Sequence, residues 1–132
     1  MENYKFDMSH YGAEVKERWG NTAAFKQSKS KTANYTLEDW TKMAMESDAI
    51  IENLKILMTN GFKPESAEAK ETAEAHREHI SKWFYDCSLE IHTGLAEMYL
   101  SDERFKDNYE KYAQGLAQYL HDAILANSME KI

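Results

Sequence analysis

The chain has 132 residues, with 16 Lys plus Arg against 23 Asp plus Glu and a formal net charge of -7 at pH 7. That length builds one domain with its own core, the single cysteine excludes an internal disulfide and fits a reducing cytoplasmic setting, and the negative charge opposes phosphate backbones, so direct nucleic-acid binding by this chain is not expected. No apolar run approaches the roughly 20 residues that cross a bilayer, and the N-terminal MENYKFDMSHYG lacks the apolar stretch of a signal peptide.

Ala, Glu, Lys, Leu and Met are common, while Val15 and Pro64 are the one valine and the one proline, a composition that favours helix. No stretch reads as a strand. Near the N-terminus, Tyr11, Val15 and Trp19 form a short amphipathic pair of turns before Gly20. QSKSKTAN, residues 27 to 34, offers almost no apolar surface and is expected to form helix only when docked.

Thr36-Leu37-Glu38-Asp39 is a relative of the capping box and Asn60-Gly61 a stop, which predicts a helix over residues 37 to 59. Its apolar stripe reads Trp40, Met43, Ser47, Ile50, Leu54, Leu57. After the Phe62-Lys63-Pro64 turn, Ser66 caps a second long helix with Ala69, Ala73, His76, Ile80 and Trp83 inward. A third starts at Ser88, with Ile91, Leu95 and Met98 or Tyr99 on one face. Ser101-Asp102 separates it from a fourth carrying Phe105, Tyr109 and Tyr112. The last begins near Gly115, buries Leu116, Leu120 and Ile124, and is expected to stop at Asn127. The pattern predicts a single all-α domain of about five to seven helices, without internal repeat or long linker.

Cys87, in WFYDCSLEIH, is the residue with the most chemistry to offer. A thiol at the start of the helix from Ser88 lies near unpaired N–H groups and the positive end of the helix dipole, which favours thiolate. The neighbouring Asp86, and burial under Trp83 or Tyr85, act the other way, so spacing leaves the sign open. His79 and His92 are the nearest bases, yet no signature of an oxyanion hole or an orienting third group accompanies them, and no catalytic residues are assigned. Metal and cofactor are likewise not expected: His76 and His79 are three apart, but no Glu-x-x-His occurs and zinc would lack its cysteines.

The 3 Trp, 8 Tyr and 5 Phe are an unusual load. Tyrosine hydroxyls are expensive to bury dry, so a polar-edged aromatic cavity for a flat organic ligand accounts for them, and so does a plain aromatic core. A domain that docks a protein partner or dimerises, with Cys87 as an inert core residue, remains the alternative.

The segments WGNTAAFKQS (19 to 28), KTANYTLEDW (31 to 40), HREHISKWFYDCS (76 to 88), IHTGLAEMYLSDERF (91 to 105) and LAQYLHDAILAN (116 to 127) resemble the TipA-type antibiotic-recognition domain, the sensor of MerR-like transcription activators. The resemblance covers nearly the whole chain. It implies a globin-like helical fold without haem and a cleft for bulky antibiotics, thiopeptides or oligoaromatics, bound as a drug sensor or a sequestering resistance domain. It implies that the cysteine aligned with Cys87 adds to a dehydroalanine of the drug, and that residues 1 to 35 order when ligand arrives while 36 to 132 form the helical core. Asp86 departs from the proline that related sequences often carry there. The helix-turn-helix and coiled coil of such activators are missing ahead of Met1, so this chain is not expected to activate transcription by itself. With the resemblance added to the pattern, the candidate ligand-binding residues are Cys87, Trp83, Tyr85, Trp40, His79, His92, Tyr109 and Tyr112.

Overall fold

The computed structural model describes residues 23 to 131; the Tyr11, Val15, Trp19 pattern lies outside them. Among the described residues there are six helices and no strand: α1 (Ala23–Thr32), α2 (Leu37–Thr59), α3 (Ala67–Trp83), α4 (Leu89–Ser101), α5 (Glu103–Glu110) and α6 (Leu116–Lys131). None of them is long and apolar enough to cross a membrane.

Local sequence explains the boundaries. At the start of α2 the Thr36 hydroxyl accepts the Asp39 N–H (3.1 Å) while the Asp39 carboxylate accepts the Thr36 N–H (3.0 Å), a reciprocal capping box. At its end Gly61 takes φ +84°, and the Phe62 and Gly61 N–H groups reach back to the carbonyls of Leu57 (3.0 Å) and Met58 (3.1 Å). That pair of bonds is a Schellman stop, and it needs the left-handed conformation glycine allows. Ser66 and Ser88 cap α3 and α4 by accepting the N–H of Ala69 and Ile91. Asp102 closes α4 with its backbone N–H on Met98 and opens α5 by accepting the Arg104 N–H.

The core is organised around α6, which packs on α2, α3, α4 and α5. Its buried positions, Leu116, Ala117, Tyr119, Leu120, Ala123, Ile124, Asn127 and Ser128, wrap more than one face, the pattern of a helix surrounded by others. All five inward residues expected on α3 are buried. On α2 the buried set is Met43, Ser47, Ile51 and Leu54, so Ile51 takes the place expected for Ile50, which is half-buried. Both flank the ideal position one turn beyond Ser47, and spacing alone does not choose between them.

Two further expectations are corrected. Asn127 does not stop the last helix, which runs on to Lys131; its side chain is buried and donates to Glu74 Oε1 (2.9 Å). Tyr112 is buried but lies beyond the end of α5, with its hydroxyl donating to Asp48 on α2 (2.7 Å). The polar 27 to 34 stretch supplies the C-terminal part of α1, docked by hydrogen bonds: Gln27 Oε1 accepts the Asp86 N–H (2.8 Å) and Lys31 Nζ donates to the Ser81 carbonyl (2.7 Å).

Candidate functional site

The candidate residues fall into three neighbouring groups, each set by different elements. The first lies where α2 begins and α3 ends. Tyr35 precedes the Thr36 cap and meets Trp40, four residues into the helix region, edge-on at 5.3 Å, the geometry of a hydrophobic staple. Tyr35 also meets Trp83 edge-on at 5.5 Å and donates its hydroxyl to the Trp83 carbonyl (2.6 Å), while Trp40 leans on Phe84 at 6.3 Å. Trp40 is 36% exposed and Trp83 only 7%, so the cluster presents one aromatic face outward over a buried base.

Glu46 ties this cluster to its polar rim. It accepts from Trp83 Nε1 (2.7 Å) and from Lys82 Nζ (3.0 Å), and the Lys82 ammonium also stands over the Trp83 ring at 5.1 Å. Partial burial opposes the charge of Glu46, but the bonds from Trp83 and Lys82 outweigh it and hold the carboxyl below its usual range. His79 lies beside it, with Nε2 3.1 Å from the Met43 carbonyl. Burial lowers its pKa, partly offset by that carbonyl and by Glu46.

The second group is interior. His76 Nδ1 and His92 Nε2 share a hydrogen bond at 2.9 Å between α3 and α4, with the rings stacked at 5.1 Å. Tyr99 stands edge-on to His76 at 6.0 Å and packs on Tyr109 at 5.0 Å. Burial drives both imidazoles neutral, His76 well below its ordinary value and His92 to about 3, so the pair is held as neutral donor and acceptor. His92 Nδ1 is buried and has no hydrogen-bond partner.

The third group is the 84 to 88 loop that carries the chain from α3 to α4. Tyr85 is fully buried and Cys87 is 2% exposed. The Cys87 N–H donates to Ser81 Oγ (2.9 Å), and its carbonyl accepts from Arg77 Nη1 (2.7 Å). The sign that spacing left open is resolved: burial pushes the thiol up to about 12, against the opposing pull of the Arg77 guanidinium, with Glu74 adding to the rise. The Ile91 N–H of the first turn goes to Ser88 Oγ, and the sulfur lies instead 3.8 Å from the Ser88 carbonyl. In this conformation Cys87 is a protonated, covered thiol.

Trp83 and His79 are thus brought together at Glu46, Trp40 joins Trp83 through Tyr35, His92 and Tyr109 share the interior cluster, and Cys87 and Tyr85 sit on the intervening loop. Tyr112 stands apart from these groups on Asp48. Two surface grooves lie elsewhere, one of about 340 Å³ between α3 and α6 and one of about 500 Å³ along Leu37, Thr41 and Met45 of α2. Sequence reading missed Tyr35, Glu46 and Arg77. Tyr35 had a signal, its place just ahead of a capping box with an aromatic at the staple position, and Arg77 had one in Glu74, three residues back on the same helix; Glu46 had none, because its partners come from another helix.

A partly open aromatic face over a buried, polar-edged aromatic interior suits contact with a flat apolar small molecule, and no cluster of metal-ligating side chains occurs among the described residues. Comparison with known proteins makes this specific. The family model of the TipAS antibiotic-recognition domain matches residues 11 to 127. The transcriptional activator TipA of Streptomyces coelicolor is 49% identical over 124 residues, covering 94% of this chain and 49% of that protein, and the activator mta of Bacillus subtilis is 34% identical over 95% of this chain and 48% of its own length. A structure of Streptomyces lividans TipAS in complex with nosiheptide, from a thiopeptide antibiotic multidrug resistance system, superposes with a TM-score of 0.84 at 48% identity, covering 96% of this chain and 88% of that one. The antibiotic-binding domain of a TipA-class multidrug resistance regulator gives 0.64 at 42% identity, covering 70% and 98%. The chain belongs to the TipAS antibiotic-recognition domain family. It spans about half the length of the relatives it matches.

Proposed function

We propose that this domain binds a bulky thiopeptide-like antibiotic on the Tyr35, Trp40, Trp83 and Phe84 face, without catalytic turnover, and that Cys87 is the residue able to capture it covalently. The observation that carries the reading is the placement of a partly exposed aromatic cluster at the root of the loop that holds Cys87. A flat, apolar heterocyclic ligand gains most from such faces, because aromatic pairs add to the transfer of apolar area. His79 and Glu46 supply the polar edge, His92, Tyr109 and Tyr85 lie in the interior behind it, and Tyr112 stands further off on Asp48.

Capture would need the loop to open, since a covered thiol with a pKa near 12 is a poor nucleophile. Once it is open, Arg77 is the cation that favours thiolate. The sulfur then adds to the terminal carbon of a dehydroalanine, the π electrons move to the α carbon, and that carbon takes a proton from solvent in place of the one the thiol lost. Nothing leaves, so the adduct carries the full mass of the drug.

Joined to a DNA-binding part, as the names of the TipA and mta relatives suggest, the domain acts as a cytoplasmic drug sensor; alone it sequesters the drug. The test is incubation with thiostrepton and with nosiheptide, followed by intact mass and thermal shift, with Cys87→Ala as control. Expected are a thermal shift with at least one drug and an adduct on wild type but not on Cys87→Ala for a drug with an accessible dehydroalanine. A thermal shift without an adduct rejects capture alone, and neither with either drug rejects the thiopeptide reading. Ligand at 100 times its Kd adds about 2.7 kcal/mol of stability.

A second reading draws on the exposed Leu37 (72%) and Met45 (52%) along the α2 groove, together with the buried Cys87: a protein-docking module with an inert core thiol. Drug binding that Trp40→Ala abolishes would count against it.

A further inference from the structure

The loop around Cys87 is irregular, yet both backbone polar groups of Cys87 are held by side chains of α3. Ser81 Oγ takes the N–H at 2.9 Å and Arg77 Nη1 takes up the carbonyl at 2.7 Å. Arg77 is itself fixed: its Nε donates to Glu74 Oε1 (3.0 Å) and its Nη2 to Glu74 Oε2, a fork matched to a carboxylate. Glu74 Oε1 also accepts the amide of Asn127, which is 1% exposed on α6. A chain of hydrogen bonds therefore runs from the central helix of the core, across one turn of α3, to the peptide of Cys87. A lysine at position 77 could not repeat it, because a single ammonium lacks the planar fork that serves carboxylate and carbonyl at once.

We propose that Arg77 is a positioning residue, with Asn127 and Glu74 behind it, and that this chain couples α6 to the opening of the Cys87 loop. The proposal deepens the antibiotic reading, resting on it for why opening matters, but the coupling itself rests on the hydrogen-bond geometry. Helix α6 then sets how often Cys87 is offered to a ligand, acting through Glu74 and Arg77.

The test is native-state hydrogen exchange of the Cys87 amide, followed by NMR in the absence of drug and repeated across low urea. That N–H is protected by Ser81, and its exchange reports opening without dependence on the thiol's own titration. Arg77→Gln is expected to speed the exchange about tenfold, as for loss of one charge-assisted hydrogen bond. Arg77→Lys should fall between it and wild type. Asn127→Ala, which removes a hydrogen bond to Glu74 and none to Cys87 itself, should speed it a few-fold, and the double variant Arg77→Gln with Asn127→Ala should be no faster than Arg77→Gln alone. The acceleration should persist, flat, at urea concentrations that leave global unfolding negligible. Unchanged exchange in Arg77→Gln, additive effects in the double variant, or an acceleration that follows global stability with urea would overturn the coupling. Because the measurement uses no drug, absence of an antibiotic adduct would defeat the capture reading and leave this result standing, and the converse also holds.

Discussion

The two ends of α3 teach different lessons about the same helix. Along its middle, Ala69, Ala73, His76 and Ile80 pack into an interior shared with α2, α4 and α6, where the side chains are buried and His76 bonds to His92. At its C-terminal end, the last turn and the loop beyond are held to α1 by hydrogen bonds, from the Asp86 N–H to Gln27 and from Lys31 to the Ser81 carbonyl, and the aromatic cluster there meets solvent through Trp40. The interior gains its stability from apolar area, at about 25 cal/mol per Å². The edge depends on the ring contacts of Tyr35, Trp40, Trp83 and Phe84 and on a few hydrogen bonds of about 1 kcal/mol each. A recognition domain needs both, a core that does not yield and an edge that does.

The sharpest way to break this comparison is to cut into the interior. Leu120→Ala on α6, at a fully buried position, should cost about 2–5 kcal/mol, read as a fall in the urea midpoint. If the edge were equally responsible for stability, Trp40→Ala would cost as much.

Acid tests the interior differently. The folded-state pKa of His92 is lowered from 6.5 to about 3, and that of His76 also falls well below its ordinary value. The unfolded chain therefore binds protons that the folded chain refuses, so stability is full above about pH 6.5 and declines as pH falls toward 3. The slope from His92 alone is at most about 1.4 kcal/mol per pH unit. Urea titrations between pH 7 and 4.5 should show this decline, and His92→Phe should flatten it. A wild type as stable at pH 4.5 as at pH 7 would show that the pair is not held neutral. The depressed carboxyls of Glu46 and Glu74 add to the same direction of loss at lower pH.

Thr36→Ala removes half of the capping box that starts α2 and should cost about 1 kcal/mol, measured by thermal unfolding. It also loosens the Tyr35 to Trp40 staple, so its effect on drug binding should exceed its effect on stability.

What the sequence made legible follows the range of each interaction. Ser66, Ser88, Asp39 and Gly61 act on neighbours within a few residues, so caps and stops were readable at once. The α3 stripe was readable because one dominant face is buried. Asn127 looked like a stop because its partner, Glu74, lies 53 residues away, and only that partner explains why an asparagine is kept inside a continuing helix. Cys87 was the hardest: its titration depends on burial and on Arg77, neither of which periodicity reveals. Trp40 fitted the α2 stripe by spacing, yet Tyr35 draws it toward the surface. The family resemblance supplied the functional class, while the split of the candidate residues between edge and interior came only from packing.

The contrast between stability and recognition is expected to be widest for Trp40→Ala. A ring that is 36% exposed and contacts Tyr35 and Phe84 at its margin should cost about 1–3 kcal/mol when removed, less than a fully buried side chain of its size. Its effect on recognition should be the reverse, with the nosiheptide-induced thermal shift greatly reduced, because the outward aromatic face goes while the core beneath it stays. The pairing of small loss in stability with large loss in binding is what separates a ligand-facing edge from a core margin. Should Trp40→Ala keep the full drug-induced shift, recognition would have to lie nearer the buried His92 and Tyr109 group, and the loop that carries Cys87 would then have to open much further to admit a ligand.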